Sequence, residues 1–132
     1  MLIVSFALIV FSVFYTGNDN VKQSGTLAEI TLAFSFATAA HNSVFTFLVG
    51  LPFERAMIWH TYFSVWTFVL SVWHAAIAGY SMDTESVTGL VATLGSGLMM
   101  VSMYEPIRRK SFELFYRFHW VVTFMILAAV VR

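Results

Sequence analysis

Residues 56–82 read AMIWHTYFSVWTFVLSVWHAAIAGYSM and contain no Asp, Glu, Lys or Arg. A hydrocarbon core about 30 Å thick is crossed by about 20 apolar residues in a helix that rises about 1.5 Å per residue. The stretch is long enough for this, so it predicts a helix that spans a membrane. It contains His60 and His74, and ionisable groups within an apolar span are usually functional.

The composition of the whole chain also indicates a membrane protein. Of its 132 residues, 59% are hydrophobic and only 11% are charged, whereas a soluble domain carries about 25% charged residues. This balance excludes a disordered tail, a nucleic-acid-binding protein and an ordinary cytosolic domain. The sequence contains no cysteine, which excludes disulfides and thiolate metal sites.

Other uncharged segments predict further spans, and these are residues 1–18, 30–53, 86–104 and 118–131. Residues typical of turns lie between the spans, at 16–20 with 23–25, at 50–52, at 79–86 and at 105–106. The predicted fold is therefore an all-α integral membrane bundle with five transmembrane helices in this chain.

The distribution of Lys and Arg predicts the orientation of this bundle. With a cytoplasmic N-terminus, the loops after the second and fourth spans also face the cytoplasm. These loops and the adjoining helix ends hold five basic residues, Arg55, Arg108, Arg109, Lys110 and Arg117. The opposite side holds only Lys22 and Arg132, so a multi-pass protein with a cytoplasmic N-terminus is predicted.

The spacing of the histidines suits a cofactor. His60 and His74 lie 14 residues apart, which is about 40° short of four helical turns and about 21 Å along the axis. Both imidazoles therefore project from one face, at two levels of the membrane. With His119 at the start of the fifth span, such histidines would clamp two haems with bis-histidine iron, a coordination suited to electron transfer. Spacing alone leaves open that these histidines only hydrogen-bond to a neighbouring helix.

Three stretches have counterparts in one known family. The first is GLPFERA at residues 50–56, followed by His60, His74 and Tyr80. The second is IRRKSFELFY at residues 107–116, followed by His119, and the third is HNSVFTFL at residues 41–48, where the family often has Arg-Asn. Over about residues 30–132, the chain resembles the ferric reductase-like transmembrane domain of ferric-chelate reductases and NADPH oxidases.

The resemblance implies a six-helix bundle with two b-type haems. It implies that His60 and His119 are axial ligands of the inner haem iron and that His74 is a ligand of the outer one. His41 stands in the family's place for Arg, where it would meet a haem propionate. Residues 1–132 would then be one haem-binding domain, a fragment without the sixth helix and the second outer ligand. The FAD- and NAD(P)H-binding domain would follow in the longer chain or belong to a partner.

The function implied is transmembrane electron transfer, in the lipid of the plasma membrane, from a cytosolic flavin or NAD(P)H donor to an external acceptor. In NADPH oxidases another histidine follows the outer ligand by one turn. Ala78 stands there in this sequence, which favours a ferric or other metal chelate as the acceptor. Small residues on the histidine face are expected to leave room for porphyrin, and these are Ser64, Thr67 and Ser71. The alternative is a haem-free membrane subunit, such as a channel, a proton pathway or an assembly component, whose histidines are structural.

Overall fold

A computed structural model describes Ala7 and residues 20–40, 44–79 and 83–130. Within these longer ranges all regular structure is helical, and the helices are α1 Asn20–Ala39, α2 Val44–Val49, α3 Phe53–Ala78, α4 Thr84–Ser102, α5 Glu105–Lys110 and α6 Phe112–Val130. They belong to two compact units, Met1–Ala78 and Gly79–Arg132. The all-α fold class is therefore confirmed for the described part of the chain.

The predicted helix around His60 and His74 is confirmed as α3, and its ends lie close to the predicted turns. The carbonyl oxygen of Pro52 accepts the backbone N–H groups of Arg55 and Ala56, both at 3.0 Å. Gly50 follows α2 with a φ of 64° and Gly79 follows α3 with a φ of 75°. Glycine adopts this left-handed conformation at little cost, which makes it a common helix terminator.

The prediction of five transmembrane helices is not confirmed. Among the described residues only α3 and α6 are long and apolar enough to cross a membrane, with mean hydropathies of 1.3 and 1.4. The first predicted span lies outside the described residues, apart from Ala7. α4 matches the predicted span 86–104 in position, but its many Thr, Ser and Gly residues make it less apolar.

The predicted boundaries of the second span are wrong. α1 begins at Asn20, so residues 23–25 are helical rather than part of a loop, and it ends at Ala39. Ser24 is fully buried and its hydroxyl donates to the carbonyl of Val21 at 2.9 Å. Packing against a second helix thus stabilises a segment whose local composition is typical of turns. His41, predicted to lie within a continuous helix, is outside the described residues.

In the first unit, α1 packs along α3 through a polar seam. The buried residues of α1 lie on one face of the helix, because nearly all of them are three or four positions apart. They are Gln23, Ser24, Leu27, Thr31, Ser35 and Thr38. Across the seam the hydroxyl oxygens of Thr31 and Thr67 lie 3.1 Å apart, and those of Ser35 and Ser64 lie 2.7 Å apart. Small polar residues are typical of helix interfaces in membranes, where they allow close approach and hydrogen bonding between helices.

The outward face of α3 is apolar between the ends of the helix. Ile58 on α3 is 56% exposed, whereas Thr31 at the seam is fully buried. In a soluble protein buried Ser and Thr side chains are uncommon, because these residues are mostly exposed to water. Together with the hydropathy of α3 and α6, this arrangement indicates a membrane protein.

In the second unit, α4 and α6 pack around a glycine. Gly95 is buried on α4, and it faces Val122, Met125 and Ile126 of α6. A Cβ atom at Gly95 would lie 2.7 Å from Cε of Met125 and 3.2 Å from Cγ1 of Val122. The apolar side chains of α6 therefore fill the space that the missing side chain leaves.

The short helix α5 lies between these two helices in sequence. Pro106 stands in its first turn, where the backbone N–H that proline lacks would have no partner within the helix. The break predicted at residues 105–106 therefore lies two residues earlier, at 103–104, and residues 105–106 begin α5. Arg108, Arg109 and Lys110 lie in its last turn, and all three are exposed. α6 begins at Phe112, six residues earlier than the predicted fifth span.

Candidate functional site

His60 is half-buried on α3, and α1 holds its imidazole. Nδ1 of His60 lies 2.9 Å from the main-chain carbonyl oxygen of Ser35 and 3.2 Å from Oγ of the same residue. A carbonyl oxygen can only accept a hydrogen bond, so Nδ1 carries the hydrogen. In a neutral imidazole the lone pair that a metal ion requires is then on Nε2.

His74 has the same arrangement near the other end of α1. Its Nδ1 lies 3.1 Å from the carbonyl oxygen of Val21 and 3.0 Å from Oγ of Ser24. Nδ1 is again the donor, because the carbonyl oxygen cannot donate. Gly25 lies against the ring, and a Cβ there would be 3.2 Å from Cε1 and 3.4 Å from Nδ1 of His74. The absence of a side chain at residue 25 therefore allows α1 to approach the imidazole closely.

The hydrogen bonds from His60 and His74 reach carbonyls of α1 that have the same spacing as the histidines themselves. The accepting carbonyls of Val21 and Ser35 are 14 residues apart, as are His74 and His60. Because α1 and α3 run in opposite directions, Val21 meets the later histidine and Ser35 the earlier one. Both rings contact α1, as the prediction of a shared helical face requires.

The expectation that small residues on this face leave room for porphyrin is wrong for Ser64 and Thr67. Their hydroxyls contact Ser35 and Thr31 of α1. Hydrogen bonds across the seam bring the two helices together, so the space beside these small side chains is occupied by α1.

His119 is half-buried on α6 in the second unit. It lies seven residues after Phe112, the first residue of its helix, just as His60 lies seven residues after Phe53. Each is therefore about 10 Å from the start of its own helix. The ring centroids of His119 and Phe115 are 5.5 Å apart.

The residues of α1 that hold the histidines, Ser24, Gly25 and Ser35, were not predicted from the sequence. A signal for them was present, since the hydroxyl residues Ser24, Thr31, Ser35 and Thr38 recur with helical spacing. Such a stripe is typical of a helix that packs closely on another in a membrane.

The chain matches a protein-family model described as "Ferric reductase like transmembrane component", over residues 24–130. The match includes His60, His74 and His119, and it also includes the contacts from Ser24, Gly25 and Ser35. Comparison with curated proteins and with solved structures finds no match.

Proposed function

The chain belongs to the ferric reductase-like transmembrane family, and from this we propose that it carries electrons across a membrane. The donor is a cytosolic reduced flavin or NAD(P)H, on a further domain or on a partner. The acceptor is external, a ferric or other metal chelate. Family membership supports the reaction class, which is oxidoreduction across a membrane. The assignments of the haem ligands and of the acceptor are argued from individual residues.

The observation that carries the proposal is the hydrogen bonding of the two histidines on α3. A histidine that binds a metal usually donates its other ring N–H to a carbonyl or carboxylate, which fixes the tautomer and raises the basicity of the ligand. The Nδ1 contacts of His60 and His74 with main-chain carbonyls fit this pattern. The residues present therefore fit haem as the cofactor.

We assign His60 and His119 to the iron of an inner haem and His74 to that of an outer haem. His60 and His119 each lie seven residues after the first residue of their own helix, and this supports their assignment to one inner haem. His74, about 21 Å from His60 by helix rise, supports a separate outer site. His41 is assigned to a haem propionate on the resemblance alone.

When bound, haem supplies reversible one-electron chemistry at its iron. The contribution of this chain is to orient the imidazoles through the hydrogen bonds that their Nδ1 atoms donate to main-chain carbonyls of α1. The exposed basic residues of α5 support a cytoplasmic position for that helix, since Lys and Arg are enriched on the cytoplasmic side. We propose a cytoplasmic N-terminus and a plasma-membrane location on the same basis. Ala78, where NADPH oxidases have a further histidine, supports a metal chelate rather than oxygen as the acceptor.

A second candidate is a haem-free membrane subunit in which the histidines pair helices. The bonds from His60 and His74 to α1 favour it as well, because interhelical hydrogen bonds from histidine stabilise helix association in lipid. The two candidates differ in whether the histidines bind iron.

Haem content per chain tests the proposal. We expect a reduced-minus-oxidised spectrum of low-spin b-type haem from the purified chain supplied with haem. His60→Ala or His119→Ala should abolish the inner haem, whereas His74→Ala should affect only the outer one. Thr61→Ala is a matched control, because it is adjacent to His60 and its hydroxyl bonds the carbonyl of Met57 in its own helix. A wild-type chain that takes up no haem would favour the haem-free subunit, and equal loss of both haems from His60→Ala and His74→Ala would contradict the assignment to separate sites.

A further inference from the structure

We propose that Ser24 with Gly25, and Ser35 with Ser64, are positioning residues that hold His74 and His60 with the hydrogen on Nδ1. The inference rests on the proposed function and deepens it, because it names the residues that make both histidines competent as ligands. It also gives α1, which carries no axial ligand, a defined part in the site.

At His60 the hydroxyl hydrogens determine the direction of each bond. Ser64 donates its single hydroxyl hydrogen to the carbonyl of its own helix at His60, at 2.8 Å. The hydroxyl of Ser35, 2.7 Å from Oγ of Ser64, must then donate to that oxygen. With its hydrogen used, Oγ of Ser35 can only accept from Nδ1–H of His60, 3.2 Å away. The hydroxyl and the carbonyl of Ser35 thus favour the same tautomer.

At His74 a single serine hydroxyl is enough to place the hydrogen on Nδ1. The hydroxyl of Ser24 donates to the carbonyl of Val21 at 2.9 Å, so its Oγ can only accept from Nδ1–H of His74, at 3.0 Å. Ser24 is fully buried, so its hydroxyl bonds protein groups rather than water. Gly25 completes the arrangement, because a methyl group there would lie against Cε1 and Nδ1 of the ring.

A hydrogen on Nδ1 is opposite to the tautomer that free neutral histidine favours in water. The serine hydroxyls, together with the main-chain carbonyls of Val21 and Ser35, therefore stabilise a state that the ring would not adopt by itself. Removal of such an outer partner of a metal ligand costs about 10–100-fold in affinity. Ser24→Ala at His74 and Ser35→Ala at His60 each leave a main-chain carbonyl as acceptor for Nδ1–H, so we expect each to weaken haem binding by the lower end of this range, about 10-fold.

The first measurement needs no haem. Nitrogen and carbon NMR of the full chain, labelled at histidine and embedded in lipid bilayers, distinguishes the two neutral tautomers. We expect the rings of His60 and His74 to show protonated Nδ1. Ser24→Ala should shift the Nδ1 signal of His74 and not that of His60, and Ser35→Ala should have the converse effect.

Three further variants make the result specific. Gly25→Ala should also displace the His74 signals, by contact rather than by loss of a hydrogen bond. Ser35→Thr keeps the hydroxyl and should restore the wild-type His60 signal. Thr31→Val removes a hydroxyl of the same stripe that contacts neither ring, because it bonds the carbonyls of Leu27 and Ala28 and the hydroxyl of Thr67, and it should leave both rings unchanged.

Titration with haem separates this inference from the proposed function. A haem-binding chain in which Ser24→Ala and Ser35→Ala change neither the Nδ1 signals nor the affinity would overturn the inference and leave the function standing. A chain with both rings protonated at Nδ1 and responsive to these variants, but without haem uptake, would support the hydrogen-bond assignment and contradict the function. Wild-type rings protonated at Nε2 would overturn the inference outright.

Discussion

The α1–α3 pair and the α4–α6 pair are both helix interfaces, but their chemistry is opposite. In the first, hydroxyls meet hydroxyls and histidines, as between Thr31 and Thr67. In the second, apolar side chains of α6 fill the space beside Gly95. Hydrogen bonds have direction whereas packing does not, so the first interface sets how a ring is oriented and the second sets how closely two helices approach.

The energies of interhelical hydrogen bonds and of close packing also differ between the two interfaces. Interhelical hydrogen bonds in membrane proteins contribute about 0.6 kcal/mol on average, because helices that are apart in the membrane also find partners. Overpacking a close-packed interface costs about 1–3 kcal/mol. Stability should therefore be more sensitive to substitution at Gly95 than to loss of any single hydroxyl in the α1–α3 seam.

The largest effect on stability is expected from Gly95→Val. Its Cβ would start 2.7 Å from Cε of Met125 and 3.2 Å from Cγ1 of Val122, and the branched side chain must displace both. We expect a loss of about 1–3 kcal/mol in unfolding free energy, measured by denaturant titration in mixed micelles. Gly89→Val is the matched control on the same helix, since a Cβ there meets nothing within 4 Å. An equal loss from both variants would show that helix propensity, and not the close approach, determines the cost.

A smaller effect is expected from the hydroxyl pair of Thr31 and Thr67. Thr31→Val, Thr67→Val and the double variant form a double-mutant cycle in which the shape of each side chain is nearly kept. We expect a coupling energy of about 0.6 kcal/mol from their unfolding free energies in mixed micelles. A coupling above about 2 kcal/mol would contradict the division, because the polar seam would then be a main source of stability.

The same contrast explains what the sequence could predict. The bounds of α3 follow from Gly50, Pro52 and Gly79, because each has a strong local preference. The shared face of His60 and His74 follows from helical geometry alone. These features depend on neighbours along the chain, so one sequence is enough to predict them.

The contribution of α1 depends instead on which helix lies beside it. Gln23, Ser24 and Gly25 are common in turns, and they are also common where two membrane helices meet. Only the contact with His74 decides between these alternatives. Likewise, the absence of charge over residues 30–53 indicated lipid surroundings but not one continuous helix, since α1 ends at Ala39 and α2 begins at Val44.

The smallest effect is expected from Glu105→Gln on α5. Glu105 forms an ion pair with Arg109 one turn later, in the favourable order for a helix, and the two side chains are 58% and 78% exposed. Water screens such a pair, which typically contributes about 0.3–0.5 kcal/mol. We expect the unfolding free energy in mixed micelles to change by no more than this, and added salt to reduce the difference further. Arg108→Gln removes an exposed charge from the same helix and serves as the control. A loss from Glu105→Gln as large as that from Gly95→Val would mean that α5 holds the second unit together, and the contrast between the two interfaces would no longer account for its stability.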